Sequence, residues 1–109
     1  MIWVTPDQIL TAAGARIPAS AADTEWAAAC AAAVNEGFDF RLTGALYAGT
    51  PAELTWAARS AGVEAYKRRE ATFGLTGFVD LQGAAIRVAR DYIEAQAPII
   101  ARYATFGLA

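Results

Sequence analysis

At 109 residues, with 56% hydrophobic side chains, 18% charged ones and a net charge of −2, the chain has the size of one domain with a modest core. The charge balance excludes the global basic signature of a nucleic-acid binder. The absence of histidine removes the commonest general base and metal ligand.

The apolar share lies above the usual ~45–50% and the charged share below the usual ~25%. Much of the excess is alanine, which predicts closely approaching helices, and the balance of many apolar and few charged residues suggests a surface partly covered by other subunits. A single cysteine, Cys30, cannot form an internal disulfide and fits a reducing cytoplasm. The opening MIWVTPDQ has neither the basic region nor the apolar run of a secretory leader. The longest near-apolar stretch, residues 26–34, is far shorter than the roughly 20 residues of a membrane span. A soluble protein is expected.

The first predicted helix opens at Thr5, with Pro6 in its first turn and Gln8 as capping-box partner, and fades by Gly14. Residues 14–20 form a connector in which Pro18 makes continuous helix unfavourable. A second helix starts at Ser20 or at Asp23. Trp26, Cys30, Ala33, Val34, Gly37, Phe38 and Leu42 then follow the helical period and define a buried face. Asn35-Glu36-Gly37 offers a possible stop, but the apolar Phe38, Phe40 and Leu42 favour continuation to about Leu42. Residues 43–49 turn the chain.

Residues 50–73 are read as the central helix, the element around which the chain is organised. Thr50 is its N-cap, Pro51 its first residue and Glu53 the capping-box partner. Leu54, Ala58, Ala61, Ala65 and Arg68 form its buried stripe, and Lys67, Arg68 and Arg69 complement the negative end of its dipole. Beyond Gly74 the pattern changes. Gly74, Gly77 and Gly83 punctuate short apolar segments, Ile86-Arg87-Val88 alternates as a strand would, and Gln82-Gly83 suits a tight turn. Residues 74–90 are expected to be an extended arm or a small hairpin, which needs a partner to lean on. Asp91 then caps a last helix, with Glu94 as its partner, and Pro98 should bend or divide it near Ala97. The reading is mainly α: a helical core over residues 1–73, the arm, and a C-terminal helix and tail over residues 91–109. The pentapeptide Ala-Thr-Phe-Gly-Leu occurs at residues 71–75 and again at 104–108. Both copies read as helix stops.

Catalytic chemistry is hard to assemble from these residues. Cys30 lies among alanines on a predicted buried face and reads as a small hydrophobe. The carboxylates are scattered and several are spoken for as caps, and Gly74-x-x-Gly77 lacks the lysine of a phosphate loop. No enzyme activity and no cofactor are expected. Lys67-Arg68-Arg69 reads either as a solvated helix end or as a contact for an acidic partner surface or DNA phosphates. Trp3, Trp26 and Trp56 read as packing residues, because no basic stripe interleaves them.

Thr50-Pro51-x-Glu53-Leu54, then Tyr66-Lys67-Arg68-Arg69, then Phe73-Gly74-Leu75-x-Gly77-Phe78, and at the end Ile93-Glu94-Ala95, Pro98-Ile99-Ile100 and Tyr103 stand in this order. This order resembles the head-to-tail adaptor (connector) proteins of long-tailed bacteriophages. The resemblance implies a non-catalytic virion protein, made in the host cytoplasm. It would assemble as a ring, usually of twelve, between the portal and a tail-side neck or stopper protein, around the channel through which DNA passes without sequence recognition. It further implies that residues 91–109 reach towards the portal. Lys67, Arg68, Arg69, Ile99, Ile100, Tyr103, Phe106 and Leu108 are then the candidate partner-binding residues. The other reading kept open is a small helical binding or regulatory module, for instance a DNA-associated one using residues 67–69.

Overall fold

A computed structural model describes residues 2–42, 51–68 and 81–104. They form α1 (Pro6–Ala12), α2 (Ala21–Arg41), α3 (Ala52–Lys67), α4 (Leu81–Ala95) and α5 (Ala97–Ala104). No strand occurs among the described residues. The expected mainly α architecture, a small helical bundle, is the one observed.

Local chemistry fixes the first helices. At the start of α1 the Thr5 hydroxyl accepts from Gln8 N–H at 3.2 Å while the Gln8 side chain accepts from Thr5 N–H at 3.0 Å, a complete capping box. The helix ends at Gly14 with φ +75°, the left-handed conformation that glycine adopts without a Cβ penalty. There Ala15 N–H reaches Leu10 C=O and Gly14 N–H reaches Thr11 C=O, the paired bonds of a Schellman stop. Of the two candidate starts for α2, Ser20 is the cap, its hydroxyl accepting from Asp23 N–H at 3.1 Å. The helix runs through Gly37 to Arg41, with Leu42 as its C-cap.

The element at the centre is α2 rather than α3. Both touch every other helix, but α2 is buried around most of its circumference, from Trp26 and Ala27 to Val34 and Phe38. Beyond its first turn, only a strip through Glu25, Ala28, Ala32, Glu36 and Phe40 faces solvent. Alanine makes this possible: among the described residues ten of the 22 buried hydrophobic ones are alanines, so backbones pack closely with little side chain between them. Gly62 extends the same device to the α1–α3 contact, where a Cβ would lie 2.8 Å from Ile9 Cδ1. The Trp26 indole N–H donates to Tyr66 C=O at 3.0 Å. That carbonyl belongs to the last turn of α3, where helix acceptors lack intrahelical partners.

The α3 helix departs from its expected bounds. Pro51 is its N-cap, without a side-chain bond, and Thr50 lies outside the described residues. Glu53 pairs with Arg102 of α5 at 2.9 Å. The helix ends at Lys67 with Arg68 as C-cap. Its expected extension over residues 69–73, the turn at 43–49 and both pentapeptide stops (apart from Ala104, the last residue of α5) lie outside the described residues.

The largest correction concerns residues 81–90, expected as extended arm or hairpin and found in α4. Three alternating residues, Ile86-Arg87-Val88, carried the strand reading. A longer window carries Ala85, Val88, Ala89, Tyr92 and Ile93 at three- and four-residue spacings, the mark of a helix face. Ala85, Ala89 and Ile93 are buried in the core shared with α2 and α3. Asp91 is therefore an exposed residue within α4 and not the cap of a new helix. The division near Ala97 does occur, at Gln96. Its N–H bonds to Ile93 C=O, and its C=O accepts from Ile99 and Ile100. Pro98 then sits in the first turn of α5, where its missing N–H costs little.

Candidate protein-interaction surface

The expected site residues do not converge. Lys67 is exposed in the last turn of α3. The Arg68 guanidinium lies over the Tyr92 ring, 5.9 Å from its centroid, within cation–π range. Arg69, Phe106 and Leu108 lie outside the described residues. Ile100 is only 4% exposed and belongs to the core, while Ile99 and Tyr103 are half-buried against it. The stripe of α4 continues through Gln96 into these residues, so burial inside the chain claims them first.

Ile2 and Ile17 are exposed outside the helices, and on the helices themselves three large apolar side chains are exposed: Phe40 at 80%, Trp56 at 60% and Ile86 at 51%. Phe40 shares α2 with Phe38, but two residues along a helix is about 200° of rotation, so one ring is buried and the other solvated. Phe38 packs near Trp3, with ring centroids 6.4 Å apart. The expectation that Trp3 and Trp26 are packing residues holds, while Trp56 departs from it. Its position off the Leu54–Ala58–Ala61–Ala65 stripe was the available signal.

Phe40 and Ile86 flank a groove of about 270 Å³ along the seam of α2 and α4. Its floor is Ala33, Gly37 and Ile93. A Cβ on Gly37 would lie 2.5 Å from Ile93 Cδ1, so this glycine lets α4 lie close and makes the groove shallow. Arg41 stands at one end, donating to Gly37 C=O at 3.3 Å and pairing with Glu94. Glu36 and Arg90 complete the polar rim. A second depression, between α1 and α3, is more polar, lined by Asp7, Gln8, Thr11, Ala12 and Arg59.

On the opposite side of α2, Asn35 holds the N-terminal segment. Its side-chain oxygen accepts from Trp3 and Val4 N–H at 2.7 and 3.0 Å, and its amide donates to Val4 C=O at 2.9 Å. Asp39, one turn later, accepts from the Trp3 indole at 3.0 Å. The possible stop at Asn35-Glu36-Gly37 is not used, and α2 continues through it to Arg41. A polar residue beside an otherwise apolar face was the sign of this tertiary role.

Among the described residues no polar or charged side chain is buried, no cluster of His, Cys, Asp and Glu could hold a metal, and no helix is long and apolar enough to cross a membrane. Cys30 is buried. The chemistry this surface offers is apolar contact with a charged rim. Comparison with protein-family models, characterised proteins and solved structures finds no match to this chain.

Proposed function

We propose that this chain is a structural subunit of a phage neck, forming an adaptor ring between the portal and the tail-side connector and surrounding the DNA channel. Two things support the reading: the order of sequence signals from Thr50 to Tyr103, and the exposure of Phe40, Trp56 and Ile86 on a small helical bundle. The second observation carries it. Apolar side chains of this size left exposed on two sides of a small domain mark protein–protein contact surfaces.

The portal-facing role falls to what stays accessible near the C-terminal helices, Lys67 and the half-buried Ile99 and Tyr103, since Ile100 is buried. Truncation before residue 91 would remove Ile93 and Ile100 from the core, so the test uses the full chain. The purified chain, mixed with the portal encoded by the same phage genome and imaged by negative stain, should add a ring of density to one end of the portal. A portal that stays bare beside a chain shown by circular dichroism to be folded refutes the proposal.

A further inference from the structure

The groove and Trp56 occupy different sides of the molecule, and the packing dictates this. Helices α2, α3 and α4 each touch the other two. The groove follows the α2–α4 seam, and no residue of α3 lines it. On α3 the buried positions are Leu54, Ala57, Ala58, Ala61, Gly62 and Ala65. At about 100° per residue, Trp56 falls nearly opposite their centre. The indole therefore projects from the side of α3 that faces away from α2 and α4.

We infer that Trp56 of one copy seats in the α2–α4 groove of the next, so that the chain associates head to tail. This rests on the reading of the chain as a ring subunit and names the contact that builds the ring. The groove, at about 270 Å³, lies below the ~300–1,000 Å³ of small-molecule sites. It suits one large anchoring side chain, and tryptophan is among the residues most enriched as such anchors. The charges match as well. Glu53 and Arg59 lie three residues before and after Trp56, where they flank it on the helix surface. Glu36 and Arg90 flank the groove from its two helices. Glu53 is held by Arg102 of its own chain, so the pair that fixes the register is Arg59 with Glu36 of the next copy. Knob and hole occupy separate surfaces of one chain, so the interface is heterologous. Such contacts close into rings or run on as filaments.

Sedimentation velocity on the full-length protein over a concentration series tests this. The wild type should form species larger than dimers. Trp56→Ala should keep its circular dichroism spectrum and associate roughly thirtyfold more weakly. Glu36→Arg or Arg59→Glu alone should weaken assembly, and the two together should recover it. A wild type that stays monomeric at its highest soluble concentration, one that stops at dimers, or assembly indifferent to Trp56→Ala overturns the inference. Portal attachment is scored separately. Attachment by a chain whose assembly ignores Trp56 refutes this contact and leaves the neck reading standing. Trp56-dependent assembly without attachment does the reverse.

Discussion

Residues 2–42 and residues 81–104 are both helical and share one core, yet they are held in place by different kinds of interaction. The first segment closes its helix ends within itself, through the Thr5–Gln8 box, the Gly14 stop and the Ser20 cap. Asn35 then ties the N-terminal segment to α2. The second segment is tied outward. Glu94 pairs with Arg41 of α2, Arg102 with Glu53 of α3, and Tyr92 lies beneath Arg68. Its buried stripe is the part with energetic weight, because exposed ion pairs contribute only about 0.2–1 kcal/mol. One region is specified by neighbours in sequence. The other depends on α2 and α3 being in place to receive it.

Three substitutions and one double-mutant cycle separate these two kinds of anchoring. Trp26→Ala should have the largest effect, about 3–5 kcal/mol of lost stability in chemical denaturation, because it empties a fully buried site on α2 and removes the donor to Tyr66 C=O. Both regions should unfold together. Ile93→Ala should cost about 2–5 kcal/mol, and hydrogen exchange should show α4 and α5 losing protection before α1 and α2. Loss of protection spread evenly over all helices would show that the second region is not the dependent one. Asn35→Ala should cost about 1–3 kcal/mol, since it leaves part-buried N–H groups of Trp3 and Val4 unpaired. Its exchange signature should appear at residues 3–4 and spare α4. The smallest effect belongs to the Arg41–Glu94 pair. A double-mutant cycle to alanine should give a coupling of about 1 kcal/mol or less, and a larger value would mean that polar ties hold α4 as much as its apolar stripe does.

The same division decided what could be read from the sequence. Thr5, Gln8, Gly14 and Ser20 act within a few residues of themselves, so their roles were legible before any fold was known. The buried faces of α2 and α3 were legible too, since Trp26, Cys30, Val34, Phe38 and Leu54 repeat at helical spacing over several turns. Helix α4 was misread because Gly83 and the alternation at 86–88 are short-range signals. Its true stripe relies on Ala85 and Ala89, whose burial has meaning only once α2 and α3 stand nearby. For the same reason Ile100 looked available to a partner when the chain itself buries it. The groove between Phe40 and Ile86 joins residues far apart in sequence, so no local pattern announced it. Asn35 is marked only as a polar residue beside an apolar face, and its partners, more than 30 residues away, have no local signal.

The central claim is that a single copy folds residues 81–104 onto α2 and α3 and leaves the α2–α4 groove open. Hydrogen exchange of the isolated full-length chain, at a concentration where it is monomeric, tests it most directly. The amides of residues 85–93 should be protected to nearly the same degree as those of residues 26–38. Protection of residues 26–38 with free exchange throughout 85–93 would contradict the claim.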